Sequence, residues 1–180
     1  DYDLKKHAKY SGTKLSYFDQ QKEDPETGKN GWRYTPFVIE PAAGATRGLL
    51  VYLLDAYHEE TVPDAEGNES SRVVMKFHPK LAPIKAAVLP LVKKEGLPEI
   101  ARGIVSDFYK AGINARYDEQ HSIGKRYRRH DEAGTPYCLT IDGQTKEDGT
   151  VTIRDRDTME QERIPSEKVV ATVREKLSLS

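Results

Sequence analysis

The sequence predicts an α/β fold for residues 83–180, with a mixed five-stranded sheet and three flanking helices. Three observations support this. From Lys85 onward, segments with strand character alternate with segments of helical periodicity. The run KAAVLPLV, residues 85–92, is continuously apolar, as expected for a strand that is covered on both faces. The segment 97–110 carries its apolar residues on a single stripe, which indicates a helix packed on the sheet.

The other elements of this half follow in order along the chain. The helix at 97–110 has Pro98 in its first turn and Gly112 just past its end, where these residues are favoured. Ser166 is expected to cap the last helix, whose apolar face is Val169, Val170, Val173 and Leu177. Between them we expect a strand at 114–117, a basic helix at 123–132, and strands at 137–141, 150–154 and 162–164.

Residues 1–82 have a different character, and we place a domain boundary near Pro83. Residues 1–35 are polar, with Pro25–Gly31 predicted as a turn between two strands. Phe37–Ile39 is predicted as a short buried strand.

A long apolar segment and an acidic one complete residues 1–82. Arg47–Tyr57 is predicted as a helix that is apolar nearly all round, which implies burial in a larger body. Residues 58–72 are rich in acidic and small polar residues, and we predict a linker loop.

Composition and charge limit the class of protein. The 180 residues are enough for one or two small domains with a real core. The formal net charge is −1, so there is no overall field for nucleic acid, and any basic surface has to be local. No apolar stretch approaches the ~20 residues that span a bilayer. The single cysteine, Cys138, is expected to be a packed core thiol in a reducing, cytoplasmic compartment.

The first candidate site is VIEPAAGATR, residues 38–47. Glu40 ends a short strand, Gly44 permits close backbone approach, and Arg47 stands at a helix start. Such a set would suit a small amine beside a phosphate, since a carboxylate pairs with an ammonium and a guanidinium offers a planar fork to phosphate oxygens. The helix N-terminus also favours negative charge. The alternative is a strand, a tight turn and a core helix, with Arg47 at the surface.

The second candidate site is HSIGKRYRRHDEAGTP, residues 121–136. Four cations lie within five residues of the predicted basic helix, so some of them have to face solvent or a polyanion. A tyrosine among them can stack on a base, and two carboxylates that follow can accept hydrogen bonds from an exocyclic amine such as that of cytosine. The alternative is a solvated helix with internal ion pairs. The candidates are Lys125, Arg126, Tyr127, Arg128, Arg129, Asp131 and Glu132.

The third candidate site is TIRDRDTMEQ, residues 152–161. On a strand, the alternation sends Arg154 and Arg156 to one face and Asp155 and Asp157 to the other. An arginine edge that faces the basic helix would extend a polyanion site, and the alternative is cross-strand salt bridging. The five histidines show no metal-ligand spacing, so we predict no metal site.

Three long strings carry a resemblance to a known family: FHPKLAPIKAAVLPLVKK, SIGKRYRRHDEAGTPYCLTID and VTIRDRDTMEQERIP. Together they resemble the C-terminal part of glycyl-tRNA synthetases of the class II, dimeric type. VIEPAAGATR resembles the third class II signature motif in its glycine-specific form, and DYDLKKHAKYSG resembles the stretch that precedes it. The resemblance implies that residues 1–82 are a fragment of the antiparallel-sheet catalytic domain and that residues 83–180 are the anticodon-binding domain.

The resemblance also implies roles for individual residues. Arg47 and Glu40 would be catalytic, with Arg47 on the ATP phosphates and Glu40 facing the glycine ammonium. Glu40, Pro41, Ala42, Ala43 and Gly44 would line the glycine pocket, and Gly44, Ala45, Thr46 and Arg47 would contact ATP. The anticodon would be bound by Lys125, Arg126, Tyr127, Arg128, Arg129, Asp131, Glu132, Arg154 and Arg156.

The activity implied by the resemblance is ligation of glycine to tRNA(Gly). ATP, accompanied by Mg²⁺, would activate glycine, and the glycyl group would pass to the tRNA 3′ end. The implied partners are tRNA(Gly), glycine, ATP and a second copy of the full-length protein as a homodimer, with no membrane.

This sequence departs from the family pattern at two positions. Ala42 replaces the usual Ser of the third motif, and Thr46 replaces the usual Asp. The first two class II motifs are absent and the chain opens at Asp1, so we expect it to be part of a larger enzyme and inactive alone. The alternative function is a non-catalytic nucleic-acid-binding module, such as a polymerase accessory subunit. Glu40 and Arg47 favour the ligase, whereas Ala42 and Thr46 favour the alternative.

Overall fold

A computed structural model of the chain describes residues 2–37, 39–63 and 67–179. The chain separates into two compact units, Asp1–Ala43 and Gly44–Ser180. The domain boundary predicted near Pro83 falls inside the second unit and stays a prediction.

The first unit contains one helix and one hairpin. Helix α1 spans Tyr2–Ser11. Strands β1, Tyr17–Glu23, and β2, Asn30–Tyr34, pair in antiparallel fashion. The turn predicted between them is confirmed, because the N–H of Asp24 donates to the carbonyl of Lys29 at 2.9 Å.

The short buried strand predicted at Phe37–Ile39 is wrong for the two residues that the structure describes. Phe37 and Ile39 lie outside any strand and are 104% and 93% exposed. Val38 lies outside the described residues. A short apolar run becomes a buried strand only when a neighbouring strand and a covering layer are available, and neither is found here among the described residues.

The apolar helix predicted at Arg47–Tyr57 is confirmed, with α2 spanning Ala45–Ala56. Its last residue, Ala56, is buried, but the six large apolar side chains before it are between 40% and 68% exposed. Burial of this helix in a larger body therefore stays a prediction. The exposed residues are Leu49, Leu50, Val51, Tyr52, Leu53 and Leu54.

The linker loop predicted at 58–72 is wrong, because this segment folds into an antiparallel hairpin. Strand β3 spans Tyr57–Pro63 and strand β4 spans Glu69–Met75, paired from Tyr57 opposite Met75 to Pro63 opposite Glu69. Alternate residues of β4 are buried, among them Val74 at 0% exposure. The acidic side chains made this stretch look unstructured, although the apolar residues needed for one buried face are present. Residues 64–66 lie outside the described residues.

The predicted five-stranded mixed sheet is confirmed, in the spatial order β6-β5-β7-β8-β9. Strand β5 is parallel to both β6 and β7, whereas β8 is antiparallel to both β7 and β9. The strands and the helices between them are β5 Ala86–Pro90, α3 Leu97–Lys110, β6 Ala115–Tyr117, α4 Ile123–Glu132, β7 Tyr137–Ile141, α5 Gly143–Asp148, β8 Thr150–Asp155, β9 Gln161–Pro165 and α6 Val169–Leu179.

Side-chain alternation along β5 divides the core between the two faces of the sheet. Ala86 and Val88 pack with α3 and α6 on one face, where Phe108 and Val173 are fully buried. Ala87, Leu89 and Cys138 form a smaller cluster on the other face, which Ile123 and Tyr127 of α4 cover. The three flanking helices predicted from the sequence therefore sit two on one face and one on the other.

Two local details differ from the sequence predictions. Helix α5 was not predicted; Asp142 caps it by accepting a hydrogen bond from the N–H of Thr145 at 3.1 Å. Ser166 does not cap the last helix, but begins a short 3₁₀ turn, Ser166–Lys168, and donates its N–H to the carbonyl of Gly149. No helix within the described part of the chain has the length and apolarity needed to cross a membrane.

Candidate nucleic-acid interface

A cavity of about 770 Å³ opens beside the basic helix α4 in the second unit. Helix α4 forms one wall, the β3–β4 hairpin contributes Val62 and Pro63, and the segment from β8 to β9 contributes Met159 and Gln161. The cavity brings together seven of the nine residues predicted to bind the anticodon, and Arg126 and Arg156 lie outside its lining. The seven are Lys125, Tyr127, Arg128, Arg129, Asp131, Glu132 and Arg154.

The polar rim of the cavity consists of side chains that remain accessible on α4. Lys125 and Glu132 are exposed, and Arg128 is half-buried. The Arg129 side chain is 42% exposed while its Nη1 donates to Asp118 Oδ2 at 2.6 Å. These residues provide positive charge for phosphates and one free carboxylate for a hydrogen-bond donor.

Arg126 has a different environment from its cationic neighbours. It is 2% exposed and inserts under the carboxyl end of β5. Its Nη1 donates to the carbonyl oxygens of Pro90 at 2.7 Å and Asp118 at 3.2 Å. Burial lowers the pKa of this guanidinium from its usual value. These contacts assign Arg126 the task of fixing two loops, and its predicted contact with the anticodon remains untested.

Asp131 is the centre of a buried ion network. The carboxylate is 0% exposed and accepts hydrogen bonds from Arg72 Nε at 3.1 Å and from Arg154 Nη1 at 2.9 Å. Burial alone would lower the pKa of Arg154, but the hydrogen bonds and the charge of Asp131 raise it. With its oxygens occupied by two arginines, Asp131 shapes the cavity wall, whereas Glu132 is the accessible carboxylate.

The alternating Arg-Asp segment is only partly a strand. Strand β8 ends at Asp155, and Arg156 begins the turn that follows. Arg156 is 2% exposed and donates to the carbonyl oxygens of Gly134 and Phe77, both at 2.9 Å. Of the two arginines, Arg154 faces α4 and is neutralised by Asp131, while Arg156 ties the turn to neighbouring backbone. Their contact with the anticodon stays a prediction.

The Tyr127 side chain contacts Arg154 and Thr140 within the protein. The guanidinium carbon of Arg154 lies 4.8 Å from the Tyr127 ring centroid, a cation–π contact. The hydroxyl shares a hydrogen bond of 2.6 Å with Thr140 Oγ1, and burial raises the pKa of this phenol. The ring is thus held on the cavity wall by Arg154, by Thr140 and by the buried cluster that it covers.

His130 lies in the last turn of α4 and contacts Asp118 and Thr135. His130 is 2% exposed, with Nε2 at 3.5 Å from Asp118 Oδ2 and Nδ1 at 3.3 Å from Thr135 Oγ1. Burial lowers the pKa of His130, and the neighbouring Asp118 opposes this shift only in part. The imidazole packs in the interior, with Nδ1 paired to Thr135.

Five cavity residues were not predicted from the sequence, among them Gly124 in the first turn of α4. Val62 and Pro63 stand in the segment taken for a linker, and Met159 and Gln161 stand at the edge of the third candidate site. One available signal was the pair Val73 and Val74 shortly after the acidic residues, because β-branched residues favour strands.

The residues of the first candidate site fall on both units. Glu40, Pro41, Ala42 and Ala43 are exposed in the first unit, and Gly44 to Arg47 begin α2 in the second. Gly44 is the N-cap of α2, in an extended conformation without a side-chain cap bond. The first turn of α2 and the exposed Arg47 guanidinium therefore offer N–H donors to an anion.

Cys138 is a buried thiol, as predicted, and burial raises its pKa to about 12. Within residues 2–37, 39–63 and 67–179, no group of three His, Cys, Asp or Glu side chains is arranged to hold a metal ion.

Comparison with known proteins also indicates a domain that binds nucleic acid. Residues 85–176 match the family model described as anticodon binding domain. The chain is 48% identical over 178 residues to a glycine–tRNA ligase of Thermobifida fusca, and 50% identical over 177 residues to one of Clostridium perfringens. These alignments cover 99% and 98% of this chain but 37% and 36% of the relatives. The similarity predicted from the sequence is confirmed, and it favours the ligase over the binding-module alternative.

Solved structures show the same fold. A prolyl-tRNA synthetase of Cryptosporidium parvum, solved with L-proline and AMP, matches with a TM-score of 0.55 and 19% identity over 67% of this chain and 31% of that one. The RNA binding domain of a threonyl-tRNA synthetase of the same species matches with a TM-score of 0.51 and 25% identity, over 56% of this chain and 25% of that one.

Proposed function

Because the chain belongs to the anticodon binding domain family through residues 85–176, we propose that it is part of a glycine–tRNA ligase and binds the anticodon of tRNA(Gly). The chain spans about a third of the length of the curated relatives it matches, so the ligase activity belongs to the longer protein. In that protein, glycine is activated by ATP and then transferred to tRNA(Gly).

The observation that carries this proposal is the cavity beside α4. Its rim supplies cations for phosphates, Tyr127 supplies a rigid aromatic ring, and Glu132 supplies a carboxylate for an exocyclic amine. An anticodon loop offers the complementary groups together, namely phosphate oxygens, unstacked base rings and exocyclic amines. Single-stranded loops are the usual targets of sequence-specific RNA recognition. Since the chain has a net charge of −1, this local basic surface is what attracts tRNA.

We further propose that Glu40 and Arg47 act in glycine activation. Arg47 binds the ATP phosphates together with the N–H groups at the start of α2, and Glu40 receives the glycine ammonium. Pro41 to Gly44 line the glycine pocket, and Gly44 to Thr46 form the turn against the nucleotide. Mg²⁺ accompanies ATP and neutralises charge on its phosphates. Ala42 removes one polar contact, but a small pocket still excludes larger amino acids by volume.

The proposed protein is a cytoplasmic homodimer. Cytoplasmic location agrees with the single buried thiol, which needs no oxidising compartment. The six exposed apolar side chains of α2 agree with burial of this helix in the longer protein.

A charging assay tests the catalytic part of the proposal. In the full-length ligase that contains this chain, Arg47→Ala should lower glycine-dependent ATP–pyrophosphate exchange by about 10²–10³-fold, because one fixed donor to the reacting phosphate is lost. Binding of tRNA(Gly) should stay unchanged. The matched control is Arg33→Ala, at an exposed arginine of β2, which should leave the exchange rate as it is. An unchanged rate in Arg47→Ala would show that this arginine does not bind ATP.

A further inference from the structure

The β3–β4 hairpin lies beside the basic helix α4, a position that its acidic sequence does not predict. Val62 and Pro63 at the end of β3 line the same cavity as the basic helix α4. We propose that this hairpin is an RNA-contacting wall of the cavity and that Arg72 is the positioning residue that holds it there. This inference rests on the proposed function and adds a second element to the tRNA interface.

Arg72 joins four parts of the unit through one side chain. It is 1% exposed. Its Nε donates to Asp131 Oδ2 of α4 at 3.1 Å, and its Nη1 donates to Glu60 Oε2 of β3 at 3.2 Å. Its Nη2 donates to the carbonyl oxygen of Arg156, which follows β8. Removal of one partner would leave buried charge uncompensated, so this network fixes the hairpin against α4.

The charge of one acidic residue of the hairpin, Glu60, is neutralised within the protein. Glu60 accepts from Lys76 Nζ at 2.5 Å in addition to Arg72. The hydrogen bond from Lys76 is the main cause of the lowered pKa of Glu60. Because Glu60 is paired with two cations, the wall beside α4 carries no uncompensated charge from this side chain.

Arg128 lies at the seam between α4 and the hairpin. Its Nη2 donates to Ser70 Oγ at 2.9 Å, whereas its Nη1 is buried and has no hydrogen-bond partner among the described residues. A neutral hydroxyl is a weaker acceptor for a guanidinium than a phosphate oxygen. A phosphate entering the cavity would therefore draw Arg128 away from Ser70 and satisfy both nitrogens. The hairpin holds this arginine ready for the RNA.

The hairpin also gives the cavity its apolar side. Pro63 and Val62 line the cavity together with Met159 and the Tyr127 ring, while Glu132 and Gln161 supply hydrogen-bonding groups. Pockets of about 300–1,000 Å³ hold compact organic ligands, so a cavity of about 770 Å³ has room for an unstacked nucleotide. The base would lie against Pro63 and Met159, with its phosphate toward the cations of α4.

An added charge at the wall tests contact with RNA. Pro63→Glu should weaken binding of a tRNA(Gly) transcript by about tenfold, because a carboxylate would stand within a Debye length of bound phosphates. The control Ser106→Glu adds the same charge on the exposed side of α3 and should change affinity by less than about twofold. Equal affinities for Pro63→Glu and the unmodified chain would overturn the proposal. If the unmodified chain itself fails to bind tRNA(Gly), the proposed function fails instead.

Cross-linking tests the positioning role of Arg72. A benzophenone amino acid at position 63 should cross-link to the tRNA, and the same group at position 106 should not. In Arg72→Gln, the yield at position 63 should fall at least about fivefold at a temperature where circular dichroism shows an intact fold, and Arg72→Lys should recover part of it. An unchanged yield in a folded Arg72→Gln variant would overturn the role of Arg72. If Arg72→Gln does not fold, Glu60→Gln, which loosens the same clamp from the half-buried side, replaces it with the same expected loss.

Discussion

Asp131 and Glu132 are neighbours in sequence with opposite tasks. Asp131 is fully buried between Arg72 and Arg154, whereas Glu132 is exposed at the cavity. The same contrast holds for Arg126 and Lys125, of which only Lys125 remains accessible. Within one basic helix, some charged residues therefore stabilise the fold, and others line the cavity that we propose binds RNA. Charge deep in the protein is tolerated because every charged group in the network has a partner.

Because Asp131 is buried and Glu132 is exposed, removing the charge of each should change the free energy of unfolding by very different amounts. Asp131→Asn should lower the free energy of unfolding by about 3–5 kcal/mol, because two buried guanidinium groups lose their shared counter-charge. Glu132→Gln should change it by less than about 0.5 kcal/mol, as for most surface substitutions. Urea denaturation followed by circular dichroism measures both. Similar losses for the two variants would contradict the ion network described for Asp131.

At the scale of elements, Arg163 ties β9 to the start of α5. Its Nη2 and Nη1 donate to the two oxygens of Asp142 at 2.7 and 2.9 Å. The hydrogen bonds from Arg163 are the main cause that lowers the pKa of Asp142 to about 2. Asp142 also caps α5, so one carboxylate holds a strand and a helix together.

The pH dependence of stability should report this contact. A carboxyl group with a folded-state pKa of about 2 stabilises the fold above its unfolded value of about 3.9, and the contribution is lost as the pH falls through 2. Arg163→Gln should therefore cost about 1–2 kcal/mol at pH 7, after allowance for partial exposure.

The difference in the free energy of unfolding between the unmodified chain and Arg163→Gln should shrink as the pH falls from 4 to 2. Denaturation curves over this pH range measure it, with Lys110→Gln, an exposed partner of Asp107, as a control that should cost less than about 0.5 kcal/mol. A difference that stays constant down to pH 2 would exclude Asp142 as the group responsible.

Periodicity explains which elements the sequence could predict. Helices α3 and α4 begin and end where predicted, because each has a helical pattern bounded by Gly, Pro or Ser. The hairpin β3–β4 was missed because its acidic residues suggested a linker, although Arg72 and Lys76 neutralise Glu60 from across the turn. Phe37–Ile39 shows the opposite error, since an apolar run alone does not provide a covering layer.

At the scale of the whole molecule, long-range pairing was the part of the site that sequence could not provide. Arg72 and Asp131 are separated by 59 positions, and Arg126 donates to the carbonyl oxygen of Pro90, which lies 36 positions away. A charged residue in a sequence does not reveal whether its partner is solvent, RNA or another side chain. The basic helix was therefore located correctly, but its buried and exposed members could be separated only in the structure.

Recognition of the anticodon by the cavity beside α4 can be tested with one binding measurement. The affinity of this chain for tRNA(Gly) should be compared with its affinity for the same tRNA carrying substituted cytosines in the anticodon. Each substituted base that the cavity reads should cost about 1–3 kcal/mol of binding free energy. Lower affinity at every salt concentration would accompany each substitution. Equal binding of all these tRNAs would contradict anticodon reading by the cavity beside α4.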